Sequence, residues 1–174
     1  MQHNMYSTAP ANIWSEVSGS IGRVEMYYKT GSGGSGGGTG SMIWDYESQD
    51  QINDWQTTGL WHSTNYRYQS SDTSMAYNQE STHQFYTGGT NSGTMTMVDS
   101  VDLSAATDPH LKFYSWQQTE YGAGTGNYYD ERLVQVSTNG GSTWATLPWS
   151  GSNLLSYSYM SWFEYDFDLS AYAS

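Results

Sequence analysis

In HLKFYSWQQT, residues 110–119, Leu111, Phe113 and Ser115 fall on one side of an extended chain, and Lys112, Tyr114 and Trp116 on the other. The period is two residues, that of a strand with one buried face, and not the 3.6 of a helix. Comparable segments recur at MIWDYES (42–48), LWHSTNYRY (60–68), SMAYNQ (74–79), SGTMTMVDSVDL (92–103), RLVQVSTN (132–139), TWATLPW (143–149) and WFEYDFDL (162–169). Turn chemistry separates them about every ten residues, the spacing of a sandwich. The pattern predicts an all-β protein, a two-sheet antiparallel β-sandwich. In STNGGSTW, Asn139, Gly140 and Gly141 lie between two such segments, and Asn-Gly favours a tight hairpin because its turn positions want positive φ. Pro10, Pro109 and Pro148 fall at expected strand margins, where a missing N–H does little harm.

One further strand-like segment stands apart. In IGRVEMYYKT (21–30), Val24, Met26 and Tyr28 alternate with Arg23, Glu25 and Tyr27, so the first three can face a core. It is followed by GSGGSGGGTGS (31–41), which has no apolar surface to bury and the highest backbone entropy to lose on ordering. The repetitive, charge-free run reads as a flexible linker of engineered type. Its root-mean-square span is roughly 18 Å and its stretched limit about 36 Å, enough to return the chain along a strand. The expected organisation is an appended or relocated segment (1–30) carrying a complementing strand (21–30), a linker (31–41) and one domain (42–174).

Composition narrows the function classes. The chain has 174 residues, 17 acidic against 5 basic side chains and a net charge of -12. Such a surface repels phosphates and anionic headgroups, which argues against nucleic-acid partners, and no apolar run suffices for membrane insertion. Aromatics make up 16% of the residues, with 16 Tyr and 8 Trp, and charged residues only 13%. That balance suits strands alternating bulky and hydroxylic residues in a secreted or cell-surface protein, and secreted bacterial or archaeal domains often do without disulfides. Cysteine is absent, which removes disulfides, thiolate metal sites and thiol catalysis together. The four histidines, His3, His62, His83 and His110, lack close metal spacing; no GxSxG surrounds a serine; the glycine run lacks the Lys-Ser/Thr ending of a phosphate loop.

The segments DYES (45–48), NDWQTTGLWH (53–62), SGTMTMVDSVDLSAATDPHLKFYSW (92–116), YDERLVQVSTNGGSTWATL (129–147) and YDFDLSAYA (165–173) occur in this order. Together they resemble the MAM-like jelly-roll domain, also called choice-of-anchor J or cleaved-adhesin type, of secreted prokaryotic peptidases and surface adhesins. VQVSTNGGSTW is the most specific part. The resemblance implies a two-sheet jelly roll, commonly calcium-bound, with no catalytic activity of its own. In that family the stretch similar to DLSAYA is followed by a long β-branched and aromatic strand and then a closing strand resembling GWYIDDV. IGRVEMYYKT has the character of the first of these, so the N-terminal segment is expected to supply, by permutation or donation, a strand the body would otherwise lack.

Carboxylates spaced two apart on strands share a face and suit a cation better than they suit acid–base catalysis, which needs a raised pKa in an apolar cleft. Paired acids flanking a glycosidic bond would be needed for a glycosidase, and Asp45/Glu47, Glu120/Asp130 and Asp166/Asp168 are weaker candidates for that role. Calcium takes six to eight oxygen ligands from adaptable loops. The expected structural calcium ligands are Asp45, Glu47, Glu120 and Asp130, the last two flanking EYGAGTGNYYD. Trp149, Tyr157 and Tyr159 form the expected exposed aromatic group for a sugar ring, while Trp61 and Trp144 are expected in the core. The leading expectation is a non-catalytic extracellular module for adhesion or surface and filament assembly. Calcium would stabilise it, strand addition through Val24, Met26 and Tyr28 would complete it, and its partner would be a neighbouring subunit or a cell-surface glycan. The alternative is a carbohydrate-binding accessory domain of a secreted hydrolase or peptidase.

Overall fold

The computed structural model describes residues 53–69, 73–85, 87–88, 91–117, 132–149, 155 and 160–173, together with the strand backbones of 2–6, 19–30 and 41–45. These residues are all-β. The strands in chain order are β1 (Gln2–Tyr6), β2 (Gly19–Thr30), β3 (Ser41–Asp45), β4 (Trp55–Thr57), β5 (Trp61–Thr64) and β6 (Ser74–Tyr77). There follow β7 (Met95–Met97), β8 (Ala106–Gln117), β9 (Leu133–Ser137), β10 (Ala145–Leu147) and β11 (Trp162–Asp168), then a 3-10 turn, Ser170–Tyr172.

The largest sheet runs β11-β8-β2-β6-β5, with β3 also paired to β2; a second sheet runs β1-β9-β10, and β4 pairs with β7. Every pair is antiparallel except β1 with β9, a departure from the purely antiparallel arrangement read from the sequence. QHNMY carries too little apolar alternation to announce β1, and its partner Leu133–Ser137 lies over a hundred positions away.

Strand β8 sets the core. Leu111, Phe113, Ser115 and Gln117 are buried and Lys112, Tyr114 and Trp116 only half-buried, the alternation that its sequence predicts. In register with it, Tyr165 and Phe167 of β11 lie opposite Phe113 and Leu111, and their rings stack on Phe113 at 5.2 and 6.0 Å. Met95 and Met97 of β7, Val134 and Val136 of β9, Leu147 of β10, Leu103 and Leu155 close the same cluster. Each such side chain removed from water contributes about 1.5–3 kcal/mol before entropy is counted. Trp61 is buried edge-on to Tyr77 at 5.6 Å, and Trp144 is half-buried against the core.

Three local readings change. Pro109 lies inside β8 and not at its margin, because two residues, Asp108 and Pro109, oppose the single residue Tyr28; Asp108 takes φ 66° at this bulge. At STNGGSTW the positive φ values belong to Gly140 (66°) and Gly141 (81°), one residue later than an Asn-Gly turn places them. Asn139 instead uses its side chain: Oδ1 accepts from Thr143 N (2.9 Å) and Ser137 Oγ (2.9 Å), and Nδ2 donates to Thr143 Oγ1 (2.8 Å). The long segment 92–103 yields only the three residues of β7, since Gly93 presses on the backbone around Gly59 before it and Val98 is exposed after it.

Candidate functional site

The feature that organises the molecule is the place taken by β2. Its twelve residues run antiparallel to β8 from Gly19↔Gln117 to Thr30↔Ala106, and its other edge is shared by β6 near Ser20 and Ile21 and by β3 near Glu25 to Tyr28. The segment tethered by the glycine run therefore sits inside the largest sheet, in the same sheet as β11. Ile21, Val24 and Met26 are the Cα partners of Ser115, Phe113 and Leu111, all three on the core face of β8. Ile21 and Val24 are three residues apart yet oppose residues two apart, so a bulge at Gly22–Arg23 restores the phase of the alternation. Tyr28 opposes the Asp108–Pro109 bulge and takes Ser41 of β3 as its register partner. That pairing also makes β2 and β3 a hairpin, so residues 31–40 join neighbouring strand ends and have no strand length to span.

One register row crosses the sheet through charged positions: Asp166 in β11, Lys112 in β8, Glu25 in β2 and Asp45 in β3. Lys112 Nζ donates to Asp166 Oδ2 at 2.9 Å, and that bond chiefly holds the lysine pKa above its ordinary value. His110, two residues along β8 on the same face, faces a carboxylate at each ring nitrogen, Nδ1 2.6 Å from Asp166 Oδ1 and Nε2 3.2 Å from Asp108 Oδ1, and as an imidazolium donates to both. Desolvation pulls its pKa down, but the bonds and charges of Asp166 and Asp108 outweigh that and leave it raised. Asp168, bonded by Ser170 N at 2.7 Å, is held below the usual carboxylate range by Ser170. Tyr114 Oη donates to Glu164 across the same face. With both nitrogens engaged by carboxylates, His110 acts as a cross-strand tie.

Of the expected calcium ligands, Asp45 ends β3 opposite Glu25, while Glu47, Glu120 and Asp130 lie outside the described residues. Among the described residues no group of three or more His, Asp or Glu is placed to hold a metal ion. Trp149 is half-buried, edge-on to Tyr165 at 5.0 Å and to Phe163 at 6.1 Å; Tyr157 and Tyr159 lie outside the described residues. The sequence reading passed over a different aromatic group. Tyr66 and Tyr68, 54% and 47% exposed, flank Arg67 in the chain; Tyr66 stacks on His83, and Arg67 lies over Trp116. NYRY alternates like the strand before it, so periodicity alone extends that strand to residue 68. The available signal is the run STNY, in which the Thr64 hydroxyl can accept from the backbone N–H two residues on, as it does from Tyr66 N at 3.1 Å, and turn the chain.

Comparison of the chain with protein-family models, with curated proteins and with solved structures returns no match. No described helix is long and apolar enough to cross a membrane.

Proposed function

We propose that the chain is a non-catalytic, extracellular jelly-roll module of the MAM-like, choice-of-anchor J kind, serving adhesion or surface assembly and completed by its own N-terminal strand. The observation that carries this reading is the register of β2, which sets Val24 and Met26 opposite Phe113 and Leu111 at the middle of the largest sheet. A central strand delivered through a Gly/Ser connection is what strand complementation requires: backbone hydrogen bonds along both edges and alternate residues at core positions. The β2–β3 hairpin fits a permuted order, in which ends that lay side by side are joined by residues 31–40. Structural calcium remains part of the proposal through Asp45, Glu47, Glu120 and Asp130, whose mutual repulsion a cation would relieve.

Deleting residues 1–30 tests the reading. The remaining chain, 31–174, loses β1 and, with β2, the shared partner of β8, β6 and β3, which leaves open edges and an uncovered core row. Aggregation or recapture of a synthetic 19–30 peptide is the expected result, read by size-exclusion chromatography. A truncated chain that stays monomeric and melts at the full-length temperature refutes it.

A further inference from the structure

Strand β5 ends abruptly at Thr64, whose Oγ1 accepts from Tyr66 N at 3.1 Å. The chain then folds back across the outer surface of β6, where Ser74 Oγ donates to the Arg67 carbonyl at 2.6 Å. This accounts for the complete burial of Ser74 and Ala76, which alternate with Met75 and Tyr77 and belong to the face opposite the core. Ala76 and Trp116 share a register row through Ser20, so the returning segment also meets Trp116. The Arg67 guanidinium lies 3.4 Å from the Trp116 ring centre and 5.2 Å from that of Tyr66. Tyr66 in turn lies flat on His83, with ring centres 3.5 Å apart and planes within 8°. His83 holds φ 54° at the close of its turn, where its N–H donates to Gln79 O at 2.7 Å.

Two features of this group point outward. Tyr66 is fixed by a ring beneath it yet stays more than half exposed, an arrangement that costs little further ordering when a flat ligand stacks on it, and Tyr68, two residues on in the chain, is nearly as open. Arg67 is held by rings alone: among the described residues no carboxylate pairs with its guanidinium, although acids outnumber bases 17 to 5 in the chain. Its planar fork of N–H donors matches a carboxylate. The opposed demands of the two features select the ligand. A polyanion is repelled by the net charge of -12, whereas a sugar ring carrying a single carboxylate presents an apolar face to the tyrosines and one charge to the arginine.

We propose that Tyr66 seated on His83 and Arg67 seated on Trp116, with exposed Tyr68 next in the chain, form a binding site for an acidic pyranose of the hexuronate class. The site draws on the adhesive reading only for where such a sugar is met; the binding itself is independent of how the sheet is completed.

The test is a titration of the isotope-labelled full chain, followed by amide and indole NMR shifts, with methyl glucuronide, methyl glucoside and inorganic phosphate as separate probes. Methyl glucuronide is expected to give saturable shifts at residues 62–69, 80–84 and the Trp116 indole, with the glucoside about tenfold weaker or more. Phosphate is expected to leave these signals in place. Arg67→Met, which keeps a long stem on Trp116, should erase the difference between the two sugars, and Tyr66→Ala should weaken both. No saturable shift with glucuronide, equal affinity for the glucoside, or phosphate binding as well as glucuronide (an adventitious anion only) overturns the proposal. The wild-type arms decide it even where a variant fails to fold. An intact monomer that ignores glucuronide would leave the strand-completion reading untouched.

Discussion

His110 stands between Asp166 and Asp108, with Lys112 and Asp168 nearby and Tyr27 as its register partner on β2. Its pKa in the folded chain is raised above the 6.5 of an ordinary histidine. A raised histidine stabilises the fold fully below its unfolded pKa, and that contribution disappears as pH rises through the folded value. Stability is therefore expected to fall across the window opening just above 6.5, and His110→Gln should flatten that part of the melting-temperature profile. A profile unchanged by the substitution would show that His110 contributes nothing to it. Gly93 presents a steric case. A Cβ there would sit 2.5 Å from the Thr58 carbonyl oxygen, a backbone atom, and 2.6 Å from the buried Tyr77 ring, so Gly93→Ala should lower stability by about 2 kcal/mol or more in urea unfolding. An unchanged midpoint would mean that the Thr58–Gly59 backbone yields freely. Single residues were legible where burial alone decides, as for Leu111 and Phe113. They were not legible where a hydroxyl redirects the chain, as Thr64 does for Tyr66.

Strands were legible in proportion to the length of their alternation. β8 and β11 could be read from periodicity, while β4, three residues with only Trp55 buried, could not. Bulges are harder still, because they depend on what the partner strand offers: nothing local to IGRVEM says that Gly22–Arg23 opposes one residue, Tyr114. The bulge nevertheless has a consequence that can be measured. Ile21, Val24 and Met26 share the core rows, whereas Tyr27 is paired with His110 on the opposite face of β8. Val24→Asp, Met26→Asp and Ile21→Asp should each cost several kcal/mol, since each sets a charge in the core row. Tyr27→Asp should cost less than about 1 kcal/mol. Strict alternation without the bulge would make Ile21 an outward position and its substitution mild, so thermal melts of Ile21→Asp and Tyr27→Asp side by side discriminate the two registers.

At the scale of the whole molecule the all-β class followed from composition and alternation, but the sheet order did not. It joins β2 to β8 across some ninety positions and β1 to β9 across more, and local pattern carries no information about such distant partners. The glycine run, like the β5–β6 and β9–β10 connections, is a place where sequence and sheet order meet, because it joins β2 to β3, and those strands are already neighbours. If β2 is held by the sheet and not by its covalent connection, the connection is dispensable after folding. Replacing residues 31–40 with a protease-cleavable sequence of equal length and cutting it in the folded protein should give two pieces that co-elute. Before cutting, the tether supplies a local strand concentration of about millimolar; afterwards, the register with β8, β6 and β3 alone must retain the strand. Dilution should then lower the melting temperature of the cut protein but not of the intact chain, because only the cut form can lose its strand by mass action. Running both forms with calcium and with chelator separates metal stabilisation of the body from retention of the strand. Immediate release of the N-terminal piece, with a body that melts as before, would show that residues 19–30 are carried by the sheet without helping to hold it together.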